Sequence, residues 1–184
     1  MRGELGADEA GSRQIVRGDA TSPRDVEGAI AKGCDVVISA LGARSLKKTR
    51  LLETAVKAIV ETMQRNRLAR LIELSAAGTF GMPKASRISF RERIAFELLH
   101  RSVLRNSFAD HAVADQIIHQ SELSWTIVQP PELDDGPAQG YQISLDGLLR
   151  GGSISRVDVA AAIIDIMETG SFIHQSPFVC RPPA

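Results

Sequence analysis

Residues 35–42 read DVVISALG, an apolar run rich in β-branched side chains, opened by a carboxylate and closed by a glycine. With no polar alternation, such a run suits a parallel strand covered on both faces. The segments around it decide whether a parallel sheet is in fact being built. Upstream, Ser22-Pro23-Arg24-Asp25 combines a serine cap, proline at the first helical position and a carboxylate three residues after the cap. The spacing predicts a helix through DVEGAIAK that stops at Gly33, where a left-handed cap fits. Gln14 to Arg17 is expected to be a short strand ahead of it.

Downstream, Lys47 to Leu68 carries Leu52, Val56, Ile59 and Met63 on one helical stripe. A second apolar strand, Arg70 to Ser75, leads into the glycine-bearing loop AAGTFGMP. Two helices are expected over Ser89–Arg105 and Phe108–Ser121, then a third buried strand at Trp125–Val128 ended by Pro130-Pro131. Residues 132–152 read as loop with a short strand at Gln142–Leu145. Ser155-Arg156-Val157-Asp158 opens a capped helix with Val159, Ile163 and Ile166 on one face. A last strand is expected at Phe178–Cys180. Apolar strands alternating with helices specify an α/β fold with a doubly wound parallel sheet, in one domain spanning residues 1–184.

Composition narrows the partners. Twenty-two basic residues balance 22 acidic ones, which supplies no electrostatic footprint for nucleic acid or an anionic membrane. No apolar run approaches the ~20 residues of a membrane helix. The opening MRGELGADEAGSR lacks the apolar core of a signal peptide. Cys34 and Cys180 sit beside apolar runs and read as reduced, buried fillers, the alternative being a disulfide or redox pair. Together these features lead us to expect a cytoplasmic protein. His100, His119 and His174 show no ligand spacing with one another or with the cysteines, so no metal site is expected.

The order of segments resembles a known family. VRGDATSPRDVEGAIAKGCDVVISALG is similar to the third strand, helix and fourth strand of atypical short-chain dehydrogenase/reductases. SELSWTIVQPPELDDGPAQGYQISLDG resembles the sixth strand and following loop of NAD(P)H-binding, NmrA-like proteins of the biliverdin reductase B and flavin reductase-like group. ISRVDVAAAI is similar to the helix that closes their substrate side. The resemblance covers residues from about Arg13 to about Phe178.

The resemblance implies a Rossmann-like sheet whose ligand lies beyond the carboxyl ends of the strands. Asp19 would accept a hydrogen bond from the adenine amino group, with Ala20 packed beside it. Ala40, Leu41 and Gly42 would follow the adenosine ribose, where a side chain at Gly42 would obstruct the approach of the backbone. Ser75 and Ala76 would lie near the nicotinamide, and backbone groups around Pro131 and Leu133 would hold its carboxamide. Arg2 falls where relatives contact the 2′-phosphate, so NADP(H) is expected ahead of NAD(H). Ser75 and His111 are the expected catalytic residues. Phe80, Met82 and Glu132 are expected in the pocket of a small, flat, conjugated substrate. Each position also has a plainer reading: Asp19 as a turn residue, Ala40 to Gly42 as strand-to-helix packing, Ser75 as a loop cap, His111 as a surface or capping residue, Phe80 and Met82 as core.

Two family features are missing from the sequence. The glycine-rich G-x-x-G-x-x-G turn that receives the pyrophosphate at a helix N-terminus is absent. We therefore expect Met1 to mark a truncated or misassigned start, with roughly 35 residues (strand 1, helix 1 and most of strand 2) lying upstream. Without them the fourth strand would have a bare edge, which favours pairing with another chain and leaves oligomerisation open. The Tyr-x-x-x-Lys pair of ordinary short-chain dehydrogenases is absent too. The one tyrosine, Tyr141, lacks the lysine, and the equivalent helix carries Asp110-His111 and then Asp115. The implied activity is reduction of a flavin, quinone or similar acceptor by hydride transfer. The alternatives are a non-catalytic NAD(P)-sensing regulator, or a fragment with impaired cofactor binding.

Overall fold

The computed structural model describes residues 15–30, 33–42, 49–77, 105–146 and 152–182, with positions 79 and 94. Its centre is a three-stranded parallel sheet of β1 (Val36–Ser39), β2 (Arg70–Leu74) and β3 (Ser124–Val128), in that order. The register runs Val36 to Arg70 and Ser39 to Glu73 on one side of β2, and Arg70 to Ser124 and Leu74 to Val128 on the other. Isolated parallel bridges at Thr126–Gln175 and Gln129–Phe178 bring the chain leading into β7 (Phe178–Cys180) alongside β3.

Helices cover both faces, as a parallel sheet requires. One core joins α1 (Pro23–Ala29), α2 (Leu51–Arg65) and α3 (Arg105–His119) to the sheet through Val26, Leu52, Val56, Met63, Leu71 and Ile118. All four residues of the expected α2 stripe are buried. The opposite core packs α4 (Arg156–Thr169) on the sheet through Ile72, Val128, Ile154, Val159, Ile163 and Ile166. Burying such side chains is worth about 1.5–3 kcal/mol each, which makes these two interfaces the main stabilising contribution.

Local chemistry marks the helix ends. Ser22 caps α1 by accepting from the Asp25 N–H at 3.3 Å, with Pro23 in its first turn. Ser155 caps α4 by accepting from the Asp158 N–H at 3.0 Å, and Gly170 ends that helix at φ +61°.

Several expectations need correction. Ile15 to Arg17 form no strand, and Ile15 is 84% exposed. Among the described residues β1 pairs only with β2, so no neighbouring strand offers these groups hydrogen bonds. For the same reason β1 is not covered on both faces throughout: Ile38 is 43% exposed. Helix α1 ends at Ala29, earlier than expected, because Ile30 turns extended; Gly33 nonetheless has φ +90°. Helix α2 begins at Leu51, not Lys47, and its start is set by Asp110, far along the chain. The helix expected over Ser89–Arg105 lies almost wholly outside the described residues.

The loop-rich stretch 132–152 contains more structure than expected. β4 (Glu132–Asp134) pairs in parallel with β6 (Ser153–Ser155), and β5 (Gln142–Ser144) runs antiparallel to β7. Three-residue strands carry too little periodicity to be read from sequence. Side chains hold them instead: Asp134 accepts from the Ser153 hydroxyl, from Gly136 N–H at 2.9 Å and from Arg181 at 2.8 Å. No helix among the described residues is long and apolar enough to cross a membrane.

Candidate functional site

The carboxyl ends of β1, β2 and β3 point to one end of the sheet, because all three strands are parallel. Beside the end of β1 runs a largely apolar groove of about 400 Å³, lined among others by Gly18, Asp19, Ala20, Ala40 and Leu41. The five come from two separated segments, the turn before α1 and the turn after β1.

The first turn is held rigidly. Asp19 accepts from Thr21 N–H at 2.8 Å and from the Thr21 hydroxyl at 2.7 Å, while its carbonyl accepts from Ser22 N–H at 2.9 Å. The Thr21 N–H, and then its hydroxyl, hold the Asp19 carboxyl below its ordinary range. Asp19 is thus a turn residue, and among the described residues its side-chain bonds go to Oδ1. Its own N–H donates to Asp25 Oδ2 at 2.9 Å. Gly18 packs so closely on α1 that an added Cβ would lie 2.9 Å from Asp25 Cβ. That constraint has no local signal in the sequence.

Gly42 is different. Among the described residues a Cβ there would meet no atom within 4 Å. Space at Gly42, an apolar groove and an Asp19 Oδ2 without a hydrogen bond among the described residues fit an adenosine moiety in shape and donor–acceptor chemistry.

Past the strand ends, Ser75 N–H donates to Val128 O at 2.9 Å and Ala77 N–H to Pro130 O at 2.8 Å. These bonds continue the β2–β3 ladder and bring Ser75, Ala76 and Ala77 beside Pro130-Pro131. Pro131 and Leu133 are half-buried and Glu132 is exposed. Arg2, Phe80 and Met82 lie outside the described residues. Tyr141 donates to Asp165 on α4 at 2.9 Å, a bond that engages its hydroxyl.

The least expected feature is a set of polar groups buried between the strand ends and α3. Ser75 Oγ donates to Asp115 Oδ2 at 2.8 Å and lies 3.4 Å from Thr79 Oγ1. Asp115 is fully buried, and Glu73 on β2 is 1% exposed. Burial pushes Glu73 up to about 8, the neighbouring Ser39 hydroxyl working against this and the Asp115 charge adding to it. Burial likewise raises Asp115 to about 7, opposed by the Ser75 hydrogen bond. Ser39 Oγ, Glu73 Oε2, Asp115 Oδ1 and His111 Nδ1 are all buried with no hydrogen-bond partner among the described residues. Ser39 therefore influences Glu73 at a geometry short of a hydrogen bond. Burial lowers His111, against the pull of Asp110, and so favours the neutral imidazole.

Sequence reading selects Ser75 and His111 but assigns Glu73 and Asp115 no role. A glutamate inside the apolar strand RLIEL was the available signal, since buried carboxylates are rare without a partner. Among the described residues no group of three or more His, Cys, Asp or Glu side chains is arranged to hold a metal ion. No disulfide joins the two cysteines, of which Cys180 is buried and Cys34 half-buried.

A family model described as NAD(P)H-binding matches residues 4–169. Among solved structures, a short-chain dehydrogenase/reductase from Veillonella parvula in complex with NADP is 22% identical, with a TM-score of 0.70 over 90% of this chain and 70% of its own. The oxidoreductase ylbE from Lactococcus lactis is 22% identical, with a TM-score of 0.71 over 93% of this chain and 73% of its own. ChuY, an anaerobilin reductase from Escherichia coli O157:H7, is 22% identical, with a TM-score of 0.69 over 93% of this chain and 78% of its own. At these identities the likeness is one of fold.

Proposed function

Since the chain belongs to the NAD(P)H-binding family, we propose that it is an NAD(P)H-dependent reductase of a small conjugated acceptor such as a flavin, a quinone or a linear tetrapyrrole. The observation that carries this reading is the adjacency of an apolar groove, lined by Asp19, Ala20, Ala40 and Leu41, to a strand end bearing a buried hydroxyl at Ser75. The groove takes the adenosine, with Asp19 facing the adenine amino group and Gly42 leaving room for the ribose. Ser75 and Ala76, with the backbone around Pro131 and Leu133, orient the nicotinamide. NADP(H) is preferred to NAD(H), and Arg2 is the residue proposed to read the 2′-phosphate.

The dinucleotide supplies the hydride; the protein binds, orients and provides protons. His111 is proposed to face the acceptor, and Phe80, Met82 and Glu132 to line its pocket. The anaerobilin reductase among the similar folds supports a planar tetrapyrrole as one acceptor class.

A second reading is an NAD(P)-sensing regulator without turnover. It is favoured by the engagement of Tyr141 with Asp165, which leaves no tyrosine for the usual proton transfer. Thermal melts with NADPH and NADH separate the cases, because a ligand specific for the native state stabilises by RT ln(1 + [L]/Kd). A melt shift with oxidation of NADPH by FMN, FAD, a quinone or biliverdin supports the reductase. A shift without turnover supports the sensor, and no shift at millimolar cofactor refutes both.

A further inference from the structure

Reduction by hydride transfer also requires a proton, and the chain has no Tyr-x-x-x-Lys pair to deliver one. We propose that Ser75 delivers this proton to the acceptor and that Asp115, buried behind it, is the positioning residue that resupplies it. The proposal rests on the reductase reading and names a proton path within it.

Three geometric facts carry it. Ser75 and Asp115 come from β2's carboxyl end and from the middle of α3, and they meet at 2.8 Å. Asp115 is fully buried, yet its second oxygen has no partner among the described residues. An ionised carboxylate so placed is costly, whereas a protonated one needs a single acceptor, which Ser75 Oγ provides. With the proton on Oδ2, the carboxylic acid donates to Ser75 Oγ, and the serine hydrogen is free to point away toward Thr79 or a substrate.

The surroundings favour that state. Burial is the main cause that opposes ionisation of Asp115, and on β2 the Asp115 charge in turn adds to the burial that keeps Glu73 protonated. On α3 itself, Asp110 is occupied by the start of α2, and His111 is held neutral by burial. Other buried polar groups at this end among the described residues include the Ser39, Ser75 and Thr79 hydroxyls and the Gln129 amide. No described cation is bonded to Asp115 to hold it as a carboxylate.

In the step, the acceptor gains a hydride with its electron pair from the reduced nicotinamide dinucleotide, which is thereby oxidised. The resulting acceptor anion takes the Ser75 hydroxyl proton. As that O–H bond breaks, Ser75 Oγ takes the proton from Asp115 Oδ2, leaving Asp115 as a carboxylate. Water reprotonates Asp115 between turnovers.

The first test needs no cofactor: carbon-13 NMR titration of aspartate carboxyls in the whole protein. One resonance is expected to titrate near neutrality, to vanish in Asp115→Asn, and to move to higher pH in Ser75→Ala, where the bond that lowers it is lost. The second is the pH profile of kcat with NADPH and the best acceptor. Wild type is expected to lose activity as pH rises through about 7, where Asp115 loses its proton. Asp115→Asn is expected to flatten that limb and to lower kcat by about 10²-fold or more, with the KM for NADPH little changed. Ser75→Ala, which keeps the acid in place, is expected to lower kcat similarly and serves if Asp115→Asn folds poorly. An Asp115 that titrates with ordinary surface carboxyls, or a variant that retains the wild-type kcat profile, overturns the relay alone. Absence of both a cofactor melt shift and turnover in wild type removes the reductase reading, and the relay with it.

Discussion

The carboxylate of Asp110 on α3 caps the first turn of α2, accepting from the Leu52 N–H at 3.2 Å across 58 residues of sequence. It also accepts from Glu53 N–H at 3.3 Å and from the Thr49 hydroxyl at 2.9 Å. Arg50, at the N-cap position, makes no side-chain cap of its own. The exposed N–H groups of a helix start must find acceptors, and here a neighbouring helix provides them. Asp110→Ala leaves those donors buried without an acceptor. It is expected to cost about 1–3 kcal/mol in urea unfolding, while Asp110→Asn, which keeps one acceptor oxygen, should lose less. Equal stability of Asp110→Ala and wild type would show that the cap contributes nothing.

Glu73 makes stability depend on pH. Its folded-state value, about 8, lies above that of an unfolded glutamate. A carboxyl shifted upward stabilises fully below the unfolded value, and that contribution disappears as pH rises through the folded one. Each unit of upward shift is about 1.4 kcal/mol. Glu73→Gln removes the ionisation, so it is expected to raise Tm at pH 9 by more than ~4 °C and to change it little at pH 5. A stabilisation equal at both pH values would contradict the assignment.

Gly18 and Gly42 should separate packing from ligand binding. Gly18→Ala places Cβ 2.9 Å from the backbone-adjacent Cβ of Asp25, which cannot swing aside. Overpacking of this kind costs about 1–3 kcal/mol. Gly42→Ala meets no atom of the described residues within 4 Å and should leave the cofactor-free Tm nearly unchanged. If the ribose occupies that space, the same substitution is expected to reduce the NADPH-induced melt shift by at least half. An unaltered shift would move the ribose elsewhere.

Asp19 tests the adenine position. Asp19→Ala removes both the Thr21 anchor and the acceptor, and should weaken NADPH binding about 10-fold or more, as loss of one charged hydrogen bond does. Thr21→Val removes only the hydroxyl contact and should weaken it less, because the Thr21 N–H remains. Isothermal titration with NADPH reads both. Equal affinities in all three proteins would leave Asp19 a turn residue and nothing more.

Sequence alone determined the elements whose signals are local. The apolar strands DVVIS, RLIEL and SWTIV, the stripe of α2, and the serine caps of α1 and α4 announce themselves within a few residues, because burial periodicity and capping are short-range. From these, and from the resemblance of the segments around them, followed the parallel sheet and the set of strand ends where a ligand would lie. Tertiary structure alone decided the rest. The strand expected at Gln14–Arg17 did not form over Ile15–Arg17, since pairing depends on a partner that the segment itself cannot specify. β4 and β6 exist through Asp134 and its contacts with Ser153, Gly136 and Arg181, a set spread over nearly fifty residues. The pairing of Ser75 with Asp115, 40 residues apart, and the burial of Glu73 beside them arise only when α3 is laid across the end of β2. Their protonation follows from solvent exclusion, a property of the folded packing that no local stretch of sequence contains.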